Sequence, residues 1–234
     1  MKLLAVETAT EACSAALYIE GEITERFSLT SNEHTKLILP MIDNLMSEAG
    51  LRPQQLDALA FGCGPGSFTG VRIATGVIQG IAFGADLPVV PVSTLAAIAQ
   101  NYFDSNDTKK QNTAFTAMDA RMGEIFWGVY KRDELGYAML IGKEAVTLAE
   151  DIEFPDLNGI GLGSGWGVYE HQLISRLAGK VDHFEVDARP RAQAVARLGA
   201  RGFELGIAVG VELAMPVYLR DKVAKTEAER QQPS

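Results

Sequence analysis

A glycine-rich run between a strand and a helix constrains the fold of this chain more than any other sequence feature. The run Gly62-Cys63-Gly64-Pro65-Gly66-Ser67-Phe68-Thr69-Gly70-Val71-Arg72 follows the strand-like residues 56–61 and precedes a long apolar stretch, residues 73–85, typical of a helix. Backbone N–H groups gather where a helix begins and the helix dipole adds positive charge, so such a turn suits an anion. Glycine also lets two backbones approach closely, because it has no Cβ. The sequence leaves both uses open.

The composition describes an ordinary globular chain with an excess of acidic residues. Its 234 residues suffice for one large or two small domains. A net charge of -9 argues against a chain that grips nucleic acid alone, because phosphate binding needs clustered Lys and Arg. Glu7 interrupts the apolar N-terminus, and no run approaches the roughly 20 apolar residues of a membrane span. Cys13 and Cys63 form no CxxC pair and are expected to be buried thiols, so we expect a cytoplasmic protein with no membrane contact.

The order of the predicted elements repeats along the chain. In the first half the periodicity predicts strands over 2–7, 12–19, 22–29, 56–61 and 88–92, and helices over 34–49, 73–85 and from Ser93 or Thr94 onward. In the second half it predicts strands over 113–118, 124–130, 136–141 and 181–186, a strand followed by a glycine turn over 159–167, and helices from that turn through about residue 177 and over 189–205. We therefore predict an α/β fold of two βββαβα subdomains, 1–105 and 106–220, with a charged, disordered tail at 221–234.

Several familiar catalytic and nucleotide-binding motifs are absent from the glycine-rich run. A Walker loop needs Lys after its last glycine, where Val71 stands, and a dinucleotide fingerprint needs an acid where Ser93 ends the next strand. The G-x-S-x-G elbow of hydrolases is missing, so Ser67 and Thr69 are predicted to cap the following helix. The three histidines stand far apart, and the sequence therefore predicts no metal site.

The link between the first two strands is a weak candidate for a nucleotide loop. Actin-like and sugar-kinase-like folds place an Asp and a glycine-threonine phosphate loop there, whereas this chain has Glu7-Thr8-Ala9-Thr10. Because the acid is Glu and the glycine is missing, Glu7, Thr8 and Thr10 should bind a metal-nucleotide weakly. A polar hairpin capped by threonine side chains is at least as well supported.

The helix after the glycine-rich run carries Gly76, Gly80 and Gly84 at intervals of four residues, along one face. Glycine inside a helix costs roughly 0.5–1 kcal/mol relative to alanine, so three of them indicate that another backbone comes close. That backbone could belong to the protein's own sheet or to a partner. The first helix is unusually broad in its apolar surface, which suits either a core helix or a partner surface.

Residues 64–72 closely resemble the signature of the TsaB (YeaZ) family. The likeness extends from the first residue to about Ala224 and includes the following segments: Ala5-Val6-Glu7-Thr8-Ala9-Thr10, Cys13-Ser14, His34 before Leu39-Pro40, Val92-Ser93-Thr94-Leu95, Met118-Asp119-Ala120-Arg121, Gly123-Glu124 and Pro216-Val217-Tyr218-Leu219-Arg220. The nine-residue signature in its strand–helix context is far more specific than a lone glycine motif.

The resemblance implies an actin-like, Hsp70-like (ASKHA) fold and a part in making N6-threonylcarbamoyladenosine (t6A) at adenosine 37 of tRNAs that read ANN codons. It implies a non-catalytic paralogue of TsaD, the threonylcarbamoyltransferase, whose HxxxH metal pair corresponds here to Thr94 and Ile98. Neither residue binds iron or zinc in that geometry, so no cofactor is expected.

The resemblance further implies pairing with TsaD through the N-terminal subdomains, docking of the TsaE ATPase on the pair, and only indirect contact with tRNA. We predict that Leu37, Met41, Leu45, Gly76 and Gly80 bear the contact, and that the same surface supports a homodimer. A stand-alone ASKHA phosphotransferase, a metallopeptidase and a general protein-interaction module remain open alternatives.

Overall fold

The computed structural model describes residues 1–30, 32–106 and 111–220, so the predicted tail at 221–234 lies outside the described residues. The first half builds a five-stranded sheet in the order β3-β2-β1-β4-β5. Its strands are β1 (Lys2–Glu7), β2 (Ala12–Ile19), β3 (Glu22–Leu29), β4 (Ala58–Gly64) and β5 (Val89–Ser93). β1 pairs antiparallel with β2 and parallel with β4. The predicted bounds of the first three strands are confirmed.

Three helices accompany this sheet: α1 (His34–Glu48), α2 (Phe68–Ala85) and α3 (Thr94–Ser105). α2 begins five residues earlier than its apolar pattern predicts, because the Ser67 hydroxyl accepts a hydrogen bond from Gly70 N and caps the first turn. Thr69 lies inside that first turn, so the prediction that it also caps the helix is wrong. Ser93 rather than Thr94 caps α3, accepting from the backbone N–H groups of Leu95 and Ala96.

The second half repeats the sheet, in the order β10-β9-β6-β7-β8. Its strands are β6 (Thr113–Arg121), β7 (Glu124–Arg132), β8 (Ala138–Leu148), β9 (Gly159–Leu162) and β10 (Val181–Glu185), and its helices are α4 (Gly165–Val168), α5 (Glu170–Arg176) and α6 (Ala192–Glu204). This duplicated strand order confirms the predicted α/β class with the ASKHA arrangement. The second copy differs in one respect, since residues 149–158 connect β8 to β9 without the helix that α1 supplies in the first copy.

β8 is longer than predicted. It continues to Leu148 beyond an irregularity at residues 142–144, where the register with β7 shifts between Trp127 and Val129. The irregularity directs the Glu144 side chain toward β5 and β7, where its carboxylate accepts hydrogen bonds from the Ser93 and Tyr130 hydroxyls.

The last helix of each half packs against the sheet of the other half. α6 packs on the first sheet through small residues, and a Cβ at Gly199 would lie only 2.5 Å from the Ala60 Cβ. α3 packs on the second sheet, where Leu95, Ile98 and Phe103 join its core. α3 and α6 also contact each other, so they form the layer between the two sheets. We call the first sheet with α1, α2 and α6 the first lobe, and the second sheet with α3, α4 and α5 the second lobe.

α1 and α2 cover the outer face of the first sheet. Ile38 on α1 and Ile78 on α2 are fully buried in a core that includes Leu4 and Phe61 from the strands. By length and composition α2 could span a membrane, contrary to the sequence expectation that no segment could. In this fold one side of α2, including Ile78, packs on the first sheet.

Candidate functional site

The glycines of the signature turn allow the β1–β2 loop to lie against the start of α2. A Cβ at Gly66 would be 2.6 Å from the Ala9 carbonyl oxygen, and one at Gly70 would be 2.1 Å from the Thr8 carbonyl oxygen. Contacts this short are not tolerated, so only glycine fits at both positions. Of the two uses that the sequence leaves open, the structure shows the close approach of two backbones.

Hydrogen bonds reinforce this contact and occupy several polar groups of the turn. Ser67 N donates to the Ala9 carbonyl at 2.8 Å, and the Thr8 hydroxyl donates to the Gly70 carbonyl at 2.7 Å. Gly70 N donates to the Ser67 hydroxyl at 2.9 Å. The N–H groups of Ser67 and Gly70 therefore bind protein oxygens rather than pointing to an anion.

Glu7 lies inside the protein, not in a ligand site. It is 0% exposed, and its Oε1 accepts a hydrogen bond of 2.6 Å from Ala9 N. Its Oε2 has no hydrogen-bond partner among the residues that the structure describes, and burial raises the pKa of the carboxyl to about 7. A carboxyl without access to solvent cannot hold a metal-nucleotide, so the weak assignment of Glu7 to a nucleotide loop is wrong.

Thr8 and Thr10 differ in their surroundings. Thr8 is fully buried and its hydroxyl donates to the Gly70 carbonyl, so its side chain is not available to bind a nucleotide. The Thr10 hydroxyl accepts from Ala12 N at 3.2 Å, which makes the predicted polar hairpin, and Thr10 borders a cleft between the lobes.

The interlobe cleft has a volume of about 610 Å³ and is lined by polar and apolar residues of both lobes. Thr10, His34 and Ser67 line it from the first lobe, and Asp119, Arg121 and Ser164 from the second. A ring nitrogen of His34 is hydrogen-bonded to the Thr10 carbonyl at 2.8 Å. Within residues 1–30, 32–106 and 111–220, no three His, Cys, Asp or Glu side chains gather in a way that could hold a metal ion.

Thr94 and Ile98, where the family resemblance would put a metal-binding pair, lie on α3 and are buried. Thr94 and Ile98 are one helical turn apart, and Ile98 packs into the core between α3 and the second sheet. Within the described part of the chain the Thr94 hydroxyl has no hydrogen-bond partner. Both side chains are buried.

The predicted partner residues are divided between the surface and the core. Leu37 and Met41 of α1 are half-buried at the edge of the core. Leu45, by contrast, is 2% exposed and packs inside it, so its assignment to the partner surface is wrong. Helical periodicity places these residues on neighbouring columns but does not tell which column meets the sheet.

The glycines of α2 face solvent. Gly76, Gly80 and Gly84 are exposed, and a Cβ at any of them would meet no atom within 4 Å in the part of the chain that the structure describes. They are therefore not needed for packing on the protein's own sheet. Sequence reasoning missed Phe83, which is 83% exposed beside this stripe, although its spacing of three from Gly80 could have revealed it. We call Leu37, Met41, Gly76, Gly80 and Phe83 the α1–α2 surface.

The remaining signature residues lie at the start of α2. Pro65 is buried, whereas Phe68 and Arg72 are exposed. The Arg72 guanidinium carbon lies 3.4 Å from the centroid of the Phe68 ring, a cation–π contact. Arg72 Nε also donates to the Tyr218 hydroxyl at 2.9 Å.

Comparison with known proteins assigns the chain to a family. Residues 27–228 match the family model described as "TsaD: tRNA N6-adenosine threonylcarbamoyltransferase". The tRNA threonylcarbamoyladenosine biosynthesis protein TsaB of Escherichia coli is 40% identical over 228 residues, covering 96% of each chain. The chain belongs to the TsaB (YeaZ) family.

Further TsaB-family matches are similarly complete. TsaB of Haemophilus influenzae is 37% identical over 232 residues, with 95% of both chains covered. The solved structure of YeaZ from Pseudomonas aeruginosa superimposes with a TM-score of 0.84 at 39% identity, over 93% of this chain and 99% of that one. The resemblance to the TsaB (YeaZ) family that the sequence indicates is thereby confirmed.

Proposed function

We propose that this chain is a non-catalytic scaffold subunit for threonylcarbamoyl transfer to adenosine 37 of tRNAs that read ANN codons. It acts through a complex with TsaD, which carries the chemistry, and with the ATPase TsaE. The relatives named for t6A biosynthesis give the pathway. The observation that carries the scaffold role is the exposed glycine stripe of α2, beside the apolar edge of α1.

The stripe supports a protein contact for a physical reason. Gly76 and Gly80 reduce the stability of an exposed helix and gain nothing from packing within the chain. Their advantage comes when another backbone lies across the helix, because small residues permit close approach. Leu37, Met41 and Phe83 supply apolar area around that contact. We propose TsaD as the occupant, with a homodimer through the same surface when TsaD is absent.

The rival role of a stand-alone phosphotransferase receives no support from the site. Glu7 is buried and Thr8 is bound to Gly70, so among the loop residues Thr10 and Glu11 line the cleft, and Glu11 is paired with Arg189. Purified chain should therefore turn over no ATP without other proteins. A general interaction module would bind through the same surface, but its loss would leave the t6A content of tRNA unchanged. We propose that the protein acts in the cytoplasm.

Gly80→Arg tests the proposal, because the new side chain projects from the α1–α2 surface without disturbing the chain itself. The matched control is Ser175→Arg, which adds the same side chain at an exposed position of α5 in the second lobe. Cells depleted of the chain are complemented with each variant, co-purification of TsaD is measured, and tRNA nucleosides are analysed.

We expect Gly80→Arg to lose both TsaD and t6A, and Ser175→Arg to keep both. Normal TsaD binding by Gly80→Arg would show that α2 is not part of the contact. A normal t6A content in depleted cells would contradict the proposed role in t6A synthesis.

A further inference from the structure

An extended segment, residues 214–220, crosses from the first lobe to the second beside the interlobe cleft. We call it the strap. We infer that the strap mechanically couples helix α2 to the β6–β7 hairpin, so that loosening either end of the strap loosens the other. This inference is independent of the proposed function.

The strap is held along α2 by two side chains of that helix. Gln79 Nε2 donates to the Ala214 carbonyl at 2.8 Å, and Arg72 Nε donates to the Tyr218 hydroxyl at 2.9 Å. Positions 72 and 79 are about two helical turns apart, so both side chains leave the same side of α2. The strap therefore follows α2 rather than touching it at one point.

The end of β4 fixes the middle of the strap. Val217 N donates to the Cys63 carbonyl at 2.7 Å. Gly64 has a φ of +108°, and a Cβ there would lie 2.9 Å from the Val217 carbonyl oxygen. The first glycine of the signature thus gives the strap room to lie against β4.

The far end of the strap is bound to the second lobe. The Arg220 guanidinium donates to the Glu124 carboxylate and, at 3.3 Å, to the Arg121 carbonyl. Both side chains of the ion pair are partly buried, at 21% and 32% exposed, so water screens them less than a surface pair. Hydrogen bonds between charged groups are the stronger kind.

The segments joined in this way both line the cleft. Ser67 and Phe68 at the start of α2 contribute to its lining from the first lobe, and Asp119, Arg121 and the strap residue Arg220 contribute further residues. Arg121 and Met122 have backbone φ values of 63° and 58°, which residues other than glycine rarely adopt. The hairpin is therefore held in an unfavourable backbone conformation at the place where the strap binds it.

Hydrogen exchange of the full chain, followed by mass spectrometry, tests the coupling. Tyr218→Phe removes the acceptor for Arg72 and keeps the ring, and Glu124→Gln removes the charge that holds Arg220. The matched control is Glu48→Gln, which breaks an ion pair with Arg26 in the first lobe, away from the strap.

If the coupling exists, Tyr218→Phe raises exchange about fivefold in the hairpin, residues 119–124, as well as in the strap, the effect expected for one lost hydrogen bond. Glu124→Gln raises exchange in residues 64–72 as well as in the hairpin. Glu48→Gln changes neither segment.

Changes confined to the strap in Tyr218→Phe, or to the hairpin in Glu124→Gln, would overturn the inference. Should Glu124→Gln unfold the chain, Arg220→Lys keeps the charge and loses the planar guanidinium contact. It is read by the same criterion, with exchange in residues 64–72 as the deciding signal.

Discussion

The Glu7 carboxyl occupies the space that a side chain at residue 62 would need. Glu7 ends β1 and Gly62 lies beside it on β4, and a Cβ added to Gly62 would be 1.8 Å from Glu7 Oε2. The acid is fully buried, so it has no open space into which to move. A buried acid and a glycine on neighbouring strands therefore depend on each other.

Gly62→Ala should destabilise the chain by about 3 kcal/mol, the upper end of the usual cost of overpacking a core. Urea unfolding followed by circular dichroism gives the free energy of unfolding. Gly84→Ala is the control, since its Cβ meets no atom of the described residues within 4 Å and the change should not destabilise the helix. Equal stability of the two variants would contradict the close contact.

The stability of the chain should fall as pH rises through the range in which Glu7 titrates. Burial raises the pKa of Glu7 from 4.5 to about 7, so between these values the folded chain keeps a proton that the unfolded chain has lost. The folded state is then favoured at low pH, and the advantage of roughly 3 kcal/mol disappears by the upper end of the window. Above that pH the contribution is constant.

Glu7→Gln isolates this effect, because the amide imitates the protonated acid at every pH. The free energy of unfolding of wild type minus that of Glu7→Gln should decline from pH 4.5 to about 7 and then stay level. A difference that does not vary with pH would show that Glu7 titrates normally.

Replacing Gly76 and Gly80 together by alanine should stabilise the isolated chain and weaken partner binding. The two new methyl groups meet no atoms, and each exposed helical Gly→Ala change is worth about 0.5–1 kcal/mol. The melting temperature of the isolated chain and its affinity for TsaD check the two effects separately. A higher melting temperature with undiminished affinity would mean that the partner does not approach the glycine stripe closely.

Ser67→Ala should cost about 1 kcal/mol, because it removes the acceptor for Gly70 N at the start of α2. Thr69→Ala is the matched control: Thr69 is exposed two residues further on and does not cap the helix. Thermal unfolding of both variants measures the difference. Comparable losses would show that α2 is capped in another way.

Local patterns predicted the first lobe well. Short apolar runs predict β1 and β2, alternation of polar and apolar residues predicts β3, and the glycine-rich turn predicts that a helix follows. The predicted strand ends at residue 141, before β8 does, because Gly142-Lys143-Glu144 breaks the alternation of polar and apolar residues. Glu144 finds its partners Ser93 and Tyr130 on other strands, and no local pattern carries that information.

The candidate site was harder to predict than the fold. The spacing of Gly76 and Gly80 showed that they share a helix face, but only the structure shows that this face is open. Leu45 fits the same periodicity and is buried. Residues 216–220 of the strap carry part of the family resemblance, but the sequence does not indicate what they contact. The side-chain bonds of the strap to α2 and to Glu124 join residues more than 90 positions apart, and local patterns carry no such information.

Because α3 and α6 each pack on the sheet of the other half, they have a consequence for folding. If the chain were cut between residues 106 and 111, the first sheet would lose α6 and the second sheet would lose α3. Each sheet would then expose one apolar face to water. Each half therefore completes the hydrophobic core of the other, and we expect the two halves to fold cooperatively.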